Sequence, residues 1–165
     1  MLNKILRLGW LVALVFSLTA CSRDIPDTLL HLDYLDDRAL EAPETELTYS
    51  EIDGEYVHDF IKSNKDKAVR WTATVSRIEN DSTFELKEPL LPSILVTFSE
   101  ELNQPLEVGD IVTFKGLLIG YGETFGKDPL WVVRPAHLEE TTADELDELI
   151  EYQEKAKEKV RDESR

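Results

Sequence analysis

Hydrophobic spacing divides the chain into a helix, five strands and a second helix. Ile52, Tyr56 and Phe60 recur every four residues with Val57 and Ile61 beside them, one apolar helix face. Ser50 stands before Glu51, Ile52 and Asp53 as an N-cap with acids in the first turn. Ser63-Asn64-Lys65-Asp66 ends this helix, and Gly54 weakens it by about 1 kcal/mol relative to Ala. The period then changes to two. Val69, Trp71, Ala73 and Val75 alternate with Arg70, Thr72, Thr74 and Ser76, which predicts a first strand. Asn80-Asp81-Ser82 is turn chemistry, and Phe84 and Leu86 alternate with Glu85 and Lys87 to complete a hairpin. Pro89 and Pro92 bracket a connection to a third strand on Ile94, Val96 and Phe98. After a polar excursion, Glu107-Val108-Gly109-Asp110 turns into a long fourth strand, Ile111 to Ile119, with Gly116 marking a bulge or bend. Leu130 to Val133 is a fifth strand that Pro135 is expected to stop. Thr142-Ala143-Asp144-Glu145 is a capping-box pattern opening a helix to Arg165, with Leu146, Leu149, Ile150 and Val160 as a thin stripe. Two readings stand for that helix: a solvated rod with one docked turn, or a partner-binding element.

Five short strands with a glycine bend predict a mainly β fold, a small closed or nearly closed sheet with a preceding helix and an acidic C-terminal helix. Residues 49–138 resemble the tRNA-anticodon-like OB-fold domains of bacterial secreted proteins. The resemblance is carried by the leading helix, by Ala68-Val69-Arg70-Trp71-Thr72-Ala73-Thr74-Val75, and by Leu106-Glu107-Val108-Gly109-Asp110-Ile111-Val112-Thr113-Phe114-Lys115-Gly116. Ala73 stands where that family usually has glycine, so a gentler curl is expected there. The resemblance implies a five-stranded OB-fold barrel and leaves the ligand open.

The first residues carry a different pattern. Lys4 and Arg7 precede Leu8 to Ala20, about 13 residues without a charge. That is a secretory signal: a spanning helix needs roughly 20 apolar residues. Leu18-Thr19-Ala20-Cys21, on the sole cysteine, resembles a bacterial lipobox. The resemblance implies cleavage between Ala20 and Cys21, a diacylglyceryl group on the Cys21 sulfur and acylation of the new amine. The alternative is an ordinary secretory cut with a free thiol. Ser22 in place of Asp implies, by the enteric pattern, the inner leaflet of the outer membrane rather than the inner membrane. The implied organisation is residues 1–20 as signal peptide, 21–48 as an acidic tether, 49–138 as the OB-fold domain and 139–165 as the acidic tail helix. The tether holds Leu29, Leu30, Leu32, Tyr34 and Leu35. That is more apolar than a pure spacer, so a short docking element is the competing reading.

Charge and cysteine count then narrow the chemistry. The chain carries −16; removing Lys4 and Arg7 with the signal leaves 16 basic against 34 acidic residues, or −18. Strong acidity disfavours polyanions and anionic lipid surfaces, so only the anchor is expected to touch membrane. Once Cys21 is lipidated no thiol remains for disulfides, Cys-ligated metal or a cysteine nucleophile. OB-folds bind on strands two and three and in the loops joining strands one–two and four–five. In the second of those loops Tyr121, Phe125 and Lys127 are the candidate binding residues, against a plain hairpin loop. Phe84 and Phe98 fit stacking or core equally by pattern. Ala68 to Leu138 holds six Lys/Arg against ten Asp/Glu, and no basic stripe interleaves with aromatics, so nucleic acid is not the expected partner. His31, His58 and His137 lie apart without ligand spacing and read as surface or boundary histidines. No cofactor, metal site or catalytic set is expected. The expectation is a lipid-anchored periplasmic OB-fold binding or scaffolding module for an envelope protein or small ligand. The alternative is an envelope hydrolase or glycan-active enzyme with an unidentified carboxylate pair.

Overall fold

The computed structural model describes residues 37–45, 47–52, 57–64, 67–122 and 128–165. The lipobox with Cys21, Leu18, Thr19 and Ala20 lies outside them, as do His31, Tyr56, Phe125, Lys127 and the side chains of Val57, His58 and Ile61.

Five strands close into a barrel: β1 (Ala68–Ile78), β2 (Thr83–Leu86), β3 (Ile94–Phe98), β4 (Ile111–Gly122) and β5 (Leu130–Glu139). Their order around the barrel is β1-β2-β3-β5-β4, with β3 and β5 parallel and every other pair antiparallel. This is the OB-fold arrangement, and closure leaves no long free edge. The two-residue alternation decides which side chains face inward. Trp71, Ala73, Val75, Phe84, Leu86, Ile94, Val96, Phe98, Phe114, Leu118, Trp131 and Val133 are all buried in one core. Phe84 and Phe98, 5.8 Å apart between ring centres, therefore belong to the interior and offer no stacking surface.

The bend expected at Gly116 is present. Register slips on β4 fall between Gly116 and Leu118 and between Leu118 and Gly120. A Cβ at Gly116 would lie 2.4 Å from Val133 Cγ1 and 2.8 Å from Ala136 Cβ, so only glycine lets β5 come this close. On β1 the slip falls between Val75 and Arg77, beyond Ala73.

β5 corrects one expectation, because the strand does not stop at Pro135 but runs on to Glu139. The reason is local. Both neighbouring ladders shift register at this point, between Val96 and Phe98 on β3 and between Gly116 and Leu118 on β4. Pro135 occupies the bulge, where its missing N–H breaks no ladder bond.

Before the barrel, α1 (Arg38–Glu41) is followed by a 3₁₀ turn (Tyr49–Glu51) and α2 (Val57–Asn64). The first part of the expected helix is thus the 3₁₀ turn, and its cap is Thr48 rather than Ser50. The Glu51 carboxylate accepts from Thr48 N–H at 2.8 Å and from the Thr48 hydroxyl at 2.9 Å. Those bonds lower the Glu51 pKa. Ile52 and Phe60 are buried as expected, and Phe60 meets the Trp131 ring edge-on at 5.5 Å.

Residues 37–45, 47 and 48, which composition places with the acidic tether, pack on the barrel. Ala39 is fully buried and Glu44 forms a parallel bridge with Ala68. The Thr45 N–H donates to Ala68 O, the Ala68 N–H donates to Pro43 O, and Trp71 Nε1 donates to Leu47 O at 3.1 Å.

The tail helix α3 (Ala143–Glu163) opens with the expected capping box. Glu145 N–H donates to Thr142 Oγ1 at 3.3 Å and Thr142 N–H donates to Glu145 Oε2 at 2.8 Å. Of the apolar stripe only Leu149 docks; Leu146, Ile150 and Val160 are exposed, and Ala156 is the second buried contact.

Candidate functional site

One wall of the barrel carries a cleft of about 370 Å³ lined by Arg77, Glu85, Lys87, Ser93, Asp128 and the apolar Leu91, Pro92, Pro129 and Leu130. Strand pairing builds one wall. Arg77 is the cross-strand partner of Glu85, and Lys87 stands two residues beyond Glu85 at the same edge. Asp128 and Pro129 bring the end of the β4–β5 connection to the other wall. The floor is the β2–β3 connection, which is held in place from several sides. The Tyr49 phenol donates to Pro92 O, the Tyr152 phenol donates to Pro89 O at 2.6 Å, and Trp131 N–H donates to Ser93 O at 2.8 Å. Burial pushes the Tyr49 and Tyr152 phenols up, so both remain neutral donors. The cleft is preformed rather than assembled from a loose loop.

Its charge differs from that of the whole protein. Two cations, Arg77 and Lys87, face two carboxylates, Glu85 and Asp128, in a chain of −16. Arg77 Nη2 also lies 2.8 Å from Glu79 Oε2. A surface of this kind takes mixed-charge polar groups on a short apolar strip. It lacks the basic run that a phosphate backbone needs.

Tyr121 ends β4 and is half-buried, with its ring centre 4.8 Å from that of Trp131. Burial raises its phenol pKa. It is thus anchored in the core while its edge stays at the surface. Phe125 and Lys127, the other two candidates, fall outside the described residues, next to Asp128 of the cleft wall. The sequence pattern does not single out Arg77, Glu85 and Lys87: alternation places Glu85 and Lys87 outward, but it would put Arg77 inward in step with Val75, and only the register shift between Val75 and Arg77 turns it out.

Two further polar clusters escaped the pattern reading. His137 is not at the surface: it is 6 % exposed. Its Nδ1 lies 2.8 Å from Glu100 Oε1, and its Nε2 lies 3.4 Å from Ser99 Oγ and 3.8 Å from Asp37 Oδ1. The order carboxylate–imidazole–hydroxyl is that of a nucleophilic relay. Here, however, the hydroxyl lies equally 3.4 Å from the Ala136 carbonyl, and a second carboxylate faces the same nitrogen. The ring joins the end of β3, the outside of β5 and the start of α1. We read it as a tie between elements. Among the described residues no group of three or more His, Cys, Asp and Glu is placed to hold a metal ion.

Glu88 is the other cluster, a carboxylate 1 % exposed beneath the tail helix. Thr74 N–H and the Thr74 hydroxyl donate to Oε1 at 2.8 and 2.6 Å, and Gln153 Nε2 donates to Oε2 at 2.8 Å. Arg70 pairs with Glu139 at 2.6 Å and also with Glu145. Tail docking is therefore largely polar, which a hydrophobic stripe cannot reveal. Glu88→Ala is expected to strand buried donors and lower stability by about 2–4 kcal/mol. Thermal melting checks the loss, and faster amide exchange over residues 143–156 checks that it falls on the tail.

None of the family models compared with this chain matches it, and no curated protein matches it either.

Proposed function

We propose that this protein is a lipid-anchored cell-envelope binding or scaffolding module. In this reading Cys21 carries the lipid, the outer membrane's inner leaflet holds it, and the OB-fold barrel faces the periplasm. The barrel grips a protein segment or small ligand of mixed charge through the cleft between Lys87 and Asp128. One observation supports the reading: a charge-balanced cleft between the β1–β2 pair and Asp128, where the β4–β5 connection enters β5, one of the connections through which OB-folds take ligands. Likeness to the tRNA-anticodon-like domains extends to the barrel and not to nucleic acid, because the two cleft cations are offset by two carboxylates.

The hydrolase alternative keeps one specific support, the Ser99–His137–Glu100 arrangement. Photo-reactive residues at Lys87 and Tyr121 in living cells separate the two. The module reading expects a discrete adduct at these sites that disappears in the Arg77→Glu variant. No adduct at either site, together with turnover of an envelope substrate by purified protein that Ser99→Ala abolishes, would establish the enzyme instead.

A further inference from the structure

We infer that the furrow between the 3₁₀ turn and the tail helix is a second binding site, for a linear diamine with a primary ammonium at each end. Two adjoining hollows form it. The inner one holds about 40 Å³ and has Glu88, Trp71, Tyr49 and Tyr152 in its walls. The outer one holds about 290 Å³ and is edged by Glu51, Glu148 and Glu151. Thr48, Ser50, Glu148 and Tyr152 line both, so one passage leads from the surface to Glu88.

The inner end asks for a cation. Glu88 is almost wholly buried, yet neutral donors alone reach it: Thr74 through its N–H and hydroxyl, and Gln153 through Nε2. Among the described residues no Lys, Arg or His pairs with it. A carboxylate removed from water is ordinarily matched by an opposite charge. Its charge is felt next door: burial first and Glu88 second raise the Tyr152 phenol pKa. The inner hollow has room for roughly two water-sized groups, which suits an ammonium head better than a planar guanidinium. The aromatic side chains of Tyr49, Trp71 and Tyr152 in the same walls favour a cation in the same sense.

The outer end repeats the preference. Five carboxylates, Glu51, Glu88, Glu145, Glu148 and Glu151, meet two cations, Arg70 and Lys155, over the whole furrow. Both cations are already engaged, Arg70 by Glu139 and Glu145 and Lys155 by Glu151. Glu51 is held by Thr48, whereas Glu148 has no hydrogen bond or ion pair of its carboxylate among the described residues. A single ammonium would leave either Glu88 or Glu148 unmatched. Two on an alkyl chain match both, and Leu91 and Leu149 give the methylenes an apolar wall. The furrow shares only Leu91 with the cleft between Lys87 and Asp128, so this inference depends neither on that cleft nor on Cys21. A bound diamine would also tie the 3₁₀ turn, the start of the β2–β3 connection and α3 together.

Titration calorimetry of the full chain, purified in detergent, with diaminopentane tests the inference. Saturable one-to-one binding is expected, and none with hexanoate or pentanol. Affinity should fall at least tenfold in Glu88→Gln, which keeps an oxygen for the Thr74 donors, and at least threefold in Glu148→Gln, an exposed position. It should hold in Glu101→Gln, which removes the same charge on the β3–β4 connection. Amide exchange over residues 143–156 is expected to slow when diaminopentane is present. If Glu88→Gln fails to fold, Glu148→Gln and the exchange measurement decide. Absence of saturable binding, unchanged affinity in a folded Glu88→Gln or in Glu148→Gln, an equal loss in Glu101→Gln, or unchanged exchange would each overturn the site. Nα-acetyl-lysine methylamide, with one ammonium on a peptide-like stem, is expected to bind more weakly. Binding as tight as that of diaminopentane would overturn the diamine and assign the furrow to a lysine side chain of a partner.

Discussion

Gly116→Ala is expected to lower the melting temperature by roughly 5–12 °C. The added methyl would sit 2.4 Å from Val133 Cγ1, 2.8 Å from Ala136 Cβ and 3.1 Å from the Pro135 carbonyl. Val133 can turn its side chain, but Ala136 has no rotamer to change and the carbonyl belongs to the backbone. Relief therefore requires β4 and β5 to separate where both ladders already slip register. Overpacking of this kind costs about 1–3 kcal/mol, and a domain of this size loses several degrees per kcal/mol. Ala136→Gly in the same chain removes one of the three clashes and is expected to restore part of the loss. Calorimetric melts of the single and double variants check both statements. An unchanged melting temperature in Gly116→Ala would mean that the strands are not packed as described.

Cys21→Ser is expected to block maturation and lipid anchoring. Each buried CH₂ contributes about 0.8 kcal/mol to membrane binding, so two or three acyl chains hold firmly while none holds at all. In the proposed reading, the variant lacks the sulfur that would receive the diacylglyceryl group. Cleavage before residue 21 depends on that modification by the lipobox resemblance, so an uncleaved precursor of full length should accumulate. Membrane fractionation and an intact mass of the accumulated form read the two effects separately. A correctly cut variant still lost from the membrane would point to an ordinary secretory signal. A correctly cut variant retained on the membrane would place the attachment elsewhere.

Much of the barrel was legible because its physics is local. The alternation Val69, Trp71, Ala73, Val75 states which face is inward, and Gly116 within an apolar strand announces a close approach. Pro135 misled for a reason that a single strand cannot show: β5 carries an extra residue here against both of its neighbours, and that bulge removes the demand for its N–H. His137 and Glu88 were illegible for a related reason. Their partners, Glu100 and Asp37 for one and Thr74 and Gln153 for the other, are distant in sequence, and burial of a polar group depends on those partners alone. The cleft was not legible: Phe125 and Lys127 lie outside the described residues, Tyr121 does not line it, and Arg77 and Glu85 become neighbours only through the β1–β2 register.

The anchored-module account rests on the state of one sulfur, so the most direct test is the mass of the N-terminal peptide of the membrane-extracted protein. The account predicts a chain that begins at Cys21 and carries a diacylglyceryl group on Sγ with a further acyl group on its amine. A peptide starting at the same residue with an unmodified thiol would contradict it, and the periplasmic address and envelope partner would fall with it.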